Sequence, residues 1–320
     1  MPVIYFIALL RIEKGMEIKM KHYESVIIGH ISEDNNIDHE DHAMTICGGA
    51  VLFSSASAAA LGHKVAAVTR LAEKDFDRLS QFTLDPEDIY VIKSENSTTM
   101  RNKYFTPDKE RRLSACLSVG DPFLCDDIDK LGITGDIYHF AGLVYGDFPN
   151  ELIKKCAKLG KVAVDVQTCL RHVDRKDGSM YFEDWADKKE MLPYIDFLKT
   201  DAAEAEIMTG FTDRLEAAKM LHLWGAKEIL ITHNTEVLAY DGENAYTCPI
   251  RARNLSGRTG RGDTTFAAYI TERLQKSVPE SLLNATAIVS LKMETPGVFK
   301  GTREDVEAYK KEFYSDYLNG

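Results

Sequence analysis

The chain has 320 residues, 44% of them apolar and 28% charged, with a formal net charge of −11 at pH 7. Those proportions exclude a chain-wide disordered or collagen-like polymer. The acidic balance excludes a surface built for nonspecific nucleic-acid binding, which needs clustered Lys and Arg against phosphate.

Along the chain, "VIYFIALL" near the start is far too short to span a bilayer, and no secretory cleavage pattern follows it, so a cytoplasmic protein with no membrane partner is expected. The first convincing buried strand is "SVIIG" at 25–29, after Met16 and Met20. Residues 1–19 therefore read as an extension and 20–320 as the domain. Further buried strands are expected at 64–69, 136–143, 161–167, 195–200 and 228–232, as short apolar runs bounded by turn residues. Helical patterns such as "PNELIKKCAKLG" and "RLEAAKMLHLWG" lie between them, and three more helices are expected at 263–275, 279–293 and 303–317. The alternation predicts an α/β fold: a three-layer αβα sandwich around a mainly parallel sheet. Two segments, near 31–47 and 94–118, break the rhythm with period-two alternation. The second reads as a hairpin turning at "PDKE", and together they predict a small β lid. The six cysteines are widely spaced with no C-x-x-C pair, so reduced thiols are expected rather than a zinc or redox site.

The stretch "GRTGRGDTTF" from Gly257 carries the chemistry. Its outline is that of a phosphate-cradling loop, but Asp263 stands where a P-loop has lysine. A helix-capping aspartate is one reading. The other follows from glycine density: Gly257, Gly260 and Gly262 leave amide N–H groups unscreened ahead of a helix, an anion nest. A transferring phosphoryl group in that nest needs a base for the attacking hydroxyl, and Asp263 has that placement. "HEDH" at 39–42 lacks the H-E-x-x-H spacing of a zinc helix and reads as a solvated loop.

"TGRGDTTFAAYI" resembles the C-terminal signature of the ribokinase family, also called the PfkB carbohydrate kinase family, and other landmarks follow the family order over residues 25–317. The resemblance implies that Gly260, Arg261 and Gly262 form the anion hole and that Asp263 is the catalytic base. "GGAVLFSSASAAALG" is similar to the N-terminal signature, placing Gly48 and Gly49 beside the acceptor, with Ser54 where asparagine is usual. The acidic loop "GHISEDNN" offers Asp34 for substrate hydroxyls, with Glu33 as competitor, and "VDVQTCLR" offers Arg171 beyond a strand end. "KTDAAEAEIMTG" resembles the N-x-x-E element, which makes Asp201 and Glu204 the Mg2+ residues. Thr232 stands in the Thr-x-Gly turn over the phosphates, with Asn234 in the glycine position. Asn284 and Ala287 would line an adenine slot. The implied activity is ATP-dependent phosphorylation of a small sugar or polyol, with Mg2+ and with room in the family pattern for a monovalent cation such as K+. A nucleoside kinase, or a non-catalytic protein on the same scaffold, is the alternative. A homodimer through the lid is compatible with the pattern. "GHIS", "DVQTCLR" and "SLKMETPG" are together similar to the branch that contains myo-inositol kinases, which suggests a cyclic polyol.

Overall fold

The computed structural model describes residues 20–106 and 112–318. The expected extension at 1–19 and the "PDKE" turn lie outside the described residues. In chain order the strands are β1 (Lys21–Ile28), β2 (Ser32–Ile37), β3 (Ala43–Gly48), β4 (Val65–Leu71), β5 (Ile89–Lys93), β6 (Thr98–Tyr104), β7 (Arg112–Ser118), β8 (Ile133–Phe140), β9 (Lys161–Asp165), β10 (Arg171–Val173), β11 (Met180–Phe182), β12 (Phe197–Asp201), β13 (Glu228–Thr232), β14 (Glu236–Tyr240) and β15 (Ala245–Pro249). Among the described residues, the α-helices of seven residues or more are α1 (Ala50–Ala60), α2 (Cys125–Leu131), α3 (Asn150–Cys156), α4 (Ala202–Thr209), α5 (Arg214–Leu223), α6 (Arg261–Glu272), α7 (Val278–Lys292) and α8 (Arg303–Phe313). No helix among them is long and apolar enough to cross a membrane.

Nine strands form the central sheet in the order β15-β14-β13-β12-β9-β8-β1-β4-β5. The pairings from β5 through to β13 are parallel, and β14 and β15 close one edge antiparallel. The fold is the expected α/β class with a mainly parallel sheet. Strands such as β13, "EILIT", are buried along their whole length because helices cover both faces. Val26, Tyr138, Val164 and Ile229 meet α2 to α5 on one face. On the other, Ile137, Ala163 and Leu230 meet α6 to α8, while Ile27 and Ala67 meet α1. Each fully buried aliphatic side chain contributes about 1.5–3 kcal/mol, and this packing offsets the cost of the charges buried at the sheet's upper edge.

Local signals set the helix ends. α7 opens with a Ser277–Glu280 capping box and a proline in its first turn, and α8 with a Thr302–Asp305 box. α6 begins at Arg261, two residues before the expected start, and its N-cap is Gly260.

The segments that broke the rhythm form a second sheet, β3-β2-β6-β7. β6 and β7 pair antiparallel as a hairpin, while β2 and β6, distant in sequence, pair in parallel. Asp34, expected on a loop, is therefore on strand β2, opposite Ile46. The short β10–β11 hairpin ties this sheet to the main body through Cys116 N donating to Gly178 O (2.8 Å) and a bridge between Ala115 and Ser179.

Candidate active site

The parallel strands deliver their carboxyl ends to one edge, where ligands bind in open α/β sheets. β9 ends in Asp165, β12 in Asp201 and β13 in Thr232, and Asp201 and Thr232 sit side by side in the ladder. One step inside, Lys199 is 5% exposed. Its ammonium lies 2.9 Å from Asp165 Oδ2 and 3.8 Å from Glu204 Oε2. Burial opposes that charge, but Asp165, Glu204, Asp201 and Asp263 outweigh burial and hold the Lys199 pKa above its ordinary value. The same burial, with Lys199 nearby, pushes His139 down to about 3, so its ring is neutral.

The glycine loop arrives over this lysine. A Cβ added at Gly262 would lie 3.1 Å from Lys199 Nζ, so the start of α6 rests almost directly on the ammonium. Gly260 has φ 78°, a left-handed conformation, and a Cβ there would lie 2.2 Å from the Phe53 ring. Only glycine meets both conditions. The first amide of α6, Arg261 N, donates back to Arg258 O at 3.2 Å, and the amides of Gly262 and Asp263 precede the first intrahelical bond, from Thr264 N to Gly260 O.

Asp263 is the third residue of α6, partly exposed, and the cap is Gly260, so the capping reading of Asp263 does not hold. Its backbone carbonyl accepts a bond from Ser54 Oγ at 3.4 Å, and among the described residues no donor bonds its carboxylate. Desolvation first, then the charge of Asp165, pushes its pKa up to about 6, while Lys199, Arg171 and Lys292 pull the other way. A carboxylate short of partners, ringed by three cations and poised near neutrality, is equipped to accept a proton. Arg171, at the start of β10, is steadied by Gln167 Oε1 and by stacking over Phe182 at 5.7 Å.

On the opposite wall, Ser32 Oγ donates to Asp34 Oδ1 at 2.7 Å, and a Cβ at Gly48 would lie 2.3 Å from Asp34 Oδ2. Asp34, Gly48 and Gly49 are thus brought together. Glu33, on the other face of β2, instead meets Arg78 at 3.3 Å. Asp201 and Glu204 form a reciprocal cap at the start of α4, Asp201 N to Glu204 Oε2 and Glu204 N to Asp201 Oδ1, both 2.8 Å. The cap engages one oxygen of each carboxylate and leaves the other. Two neighbouring hard oxygen donors fit a Mg2+ ion that keeps most of its waters. Thr232 is buried, its hydroxyl donating to Thr200 O at 3.4 Å. Asn234 keeps a negative φ, unlike the left-handed turn its position suggests, and its Oδ1 accepts from Arg261 at 2.8 Å.

Asn284 and Ala287 are not brought to this cleft. They are 2% and 0% exposed, and Asn284 donates to Glu272 at the far end of α6, because α7 runs back antiparallel to α6. The next outward turn of α7 is also covered. Ser290 Oγ lies 2.8 Å from the Tyr314 hydroxyl and accepts from Arg251 N at 3.0 Å, and just past the end of α7 Glu294 is paired with Arg253. Tyr314 and Arg251 thus stand against the face expected to hold adenine.

Sequence reasoning missed Asp165, Lys199 and Lys292. A signal existed: "VAVDV" and "FLKTD" each carry a charge within a run otherwise fit for a buried strand, and such charges are rarely buried without a partner. The group of half-buried Asp38 with exposed Glu40 and His42 fills the β2–β3 turn, where Asp38 Oδ1 accepts the amides of Glu40 and His42 at 2.9 Å each.

The sequence pattern described as pfkB family carbohydrate kinase matches residues 22–304. Among solved structures, a pyrophosphate-dependent kinase in the ribokinase family, seen as a sulfate complex, is 33% identical with TM-score 0.80, over 89% of this chain and 99% of that one. A pyrophosphate-dependent kinase in the ribokinase family complexed with a pyrophosphate analogue and myo-inositol is 32% identical with TM-score 0.79, over 89% and 99%. The cytidine kinase of Thermococcus kodakarensis is 25% identical over 257 residues, 77% of this chain and 86% of that protein.

Proposed function

The chain belongs to the pfkB carbohydrate kinase family, and from that premise we propose that it moves a phosphoryl group from inorganic pyrophosphate to a hydroxyl of a cyclic polyol of the inositol type. The observation that carries the reading is Asp263 beside the amide nest, its carboxylate bonded by no donor among the described residues and its pKa raised to about 6. The acceptor hydroxyl gives its proton to Asp263 while its oxygen bonds to phosphorus. The bridging P–O bond of pyrophosphate breaks, and orthophosphate leaves. The first-turn amides of α6, with Lys199 beneath them, meet the charge that develops on the transferred group. Asp34 and the Gly48–Gly49 backbone orient the polyol, and Arg171 faces the phosphates. Asp201 and Glu204 would hold Mg2+, whose charge, when bound, offsets that of the donor phosphates.

Pyrophosphate is favoured over the ATP expected from sequence because Asn284 and Ala287 are sealed in the core and Tyr314 and Arg251 cover the adjoining face of α7. The relatives near one-third identity that use pyrophosphate support the same choice. ATP-dependent phosphorylation of a nucleoside is the second reading, favoured by the cytidine kinase likeness. Inositols, pentoses and nucleosides incubated with pyrophosphate or ATP, with orthophosphate and ADP both measured, separate the two. Acceptor-dependent orthophosphate release from pyrophosphate is expected. ADP release with ATP alone would overturn the donor assignment, and no turnover with any pair would overturn the catalytic one. The small sheet acts as a lid that excludes water once the acceptor is bound. Donor hydrolysis at the same rate with and without acceptor would contradict that role.

A further inference from the structure

The loop ahead of α6 contains an internal cation. Lys292, the last residue of α7, is 0% exposed. Its ammonium donates to the carbonyl oxygens of Gly257, at 2.5 Å, and Thr259, and lies 5.1 Å over the Phe53 ring. Gly257 is clamped to the same helix end: its amide donates to Met293 O at 2.7 Å, and a Cβ there would lie 1.9 Å from Thr295 O. The cation also stands at the carboxyl end of α7, where the helix dipole favours positive charge.

In a trans peptide the C=O and the following N–H point in opposite directions. A carbonyl of Thr259 drawn toward Lys292 therefore aims the amide of Gly260 away from the ammonium. The Gly257 carbonyl does the same for the amide of Arg258. A monovalent ion held by backbone carbonyls would impose this orientation from outside the chain. The room for such an ion is taken by the ammonium, so these residues do not fit the K+ that the family pattern allows.

We propose that Lys292 is a positioning residue that takes the place of a bound monovalent cation, orienting the anion-nest amides so that donor binding and turnover need no K+ or Na+. Burial lowers the Lys292 pKa to about 8, against the pull of Asp263, so the ammonium form still prevails at neutral pH. The inference rests on the phosphate-donor reading of this nest.

The test measures pyrophosphate binding by calorimetry and, separately, turnover. Both use the full chain, in a buffer whose only cations besides Mg2+ are bulky organic ones, with and without K+ or NH4+. The wild type is expected to bind and turn over equally in all of them. Lys292→Ala should lose about 100-fold in turnover, the loss typical of one misdirected anion-hole donor, bind pyrophosphate more weakly, and regain both with K+ or NH4+. Lys292→Arg should retain part of each without added ions. Wild-type binding or turnover that requires K+ would overturn the proposal without any variant. So would a folded Lys292→Ala protein, by thermal melting, that keeps wild-type binding or is restored by neither ion. A wild type that binds pyrophosphate but turns over no acceptor would sink the catalytic reading and leave this one standing on binding alone.

Discussion

Helix α6 carries an acidic residue near each end, and the protein treats the two carboxylates in opposite ways. Near its N-terminus, the Asp263 carboxylate has no hydrogen-bond donor among the described residues and its pKa is pushed up to about 6. At its C-terminus, Glu272 is 1% exposed and bonded by His63 (2.9 Å), Arg303, Lys276 and Asn284. Burial alone would raise the Glu272 pKa, but these donors hold it far below the usual carboxylate range. Burial therefore does not decide the role of a charge; its partners do. A buried carboxylate with every lone pair answered is structure. One deprived of donors costs stability to keep ionised, and that cost is a mark of function.

Substitutions to the isosteric amide should split this comparison cleanly. Asp263→Asn is expected to lower kcat by about 10²–10⁴, the usual worth of a positioned base, while thermal melting stays the same or rises because an uncompensated charge has gone. Glu272→Gln should do the reverse. It breaks a buried pair and should cost about 3–5 kcal/mol in urea unfolding, with kcat per folded molecule unchanged. A variant at either end that moved both readouts together would break the comparison.

A smaller effect sharpens it. The Lys199 ammonium is one of the cations holding the Asp263 pKa down. Lys199→Met should shift the acid limb of kcat/KM to higher pH, and a limb that stayed in place would remove Lys199 from the account. Smallest of all, Ser54→Ala loses only the 3.4 Å bond to the Asp263 carbonyl. A change in kcat/KM worth under about 1 kcal/mol is expected.

The two ends also differ in how pH reaches them. Glu272, with its pKa depressed on folding, contributes stability that is complete above the ordinary carboxylate value and is lost only as pH falls through its folded value in strong acid. Asp263, with its pKa raised, is ionised at a cost above pH 6 and protonates in mild acid, so activity should fail there well before this part of the fold does.

The sequence made the helical end with Asp263 readable and left the other dark, for a physical reason. Glycine density before a helix is local, so the nest at Gly260 could be read from ten consecutive residues. The apolar runs that became β1, β4, β8, β9, β12 and β13 were local in the same sense. The edge strand β5 and the antiparallel pair β14–β15 were not, because "IYVIK" and "EVLAY" are too short to declare themselves without their neighbours. Long-range convergence was equally invisible. Nothing in "FLKT" says that its lysine lies under Gly262, and nothing in "NATAIVSLK" says which helix face meets Glu272. Asn284 was placed at the cleft by family order alone, and the antiparallel return of α7 carries it to the opposite end of α6.

The most direct test of the central claim is the pH dependence of kcat/KM for the wild type beside Asp263→Asn, with pyrophosphate as donor. A wild-type rate that rises with pH through about 6 and loses that limb in the variant is what a proton-accepting Asp263 requires. A flat wild-type profile, or a limb near 6 that persists in Asp263→Asn, would contradict it.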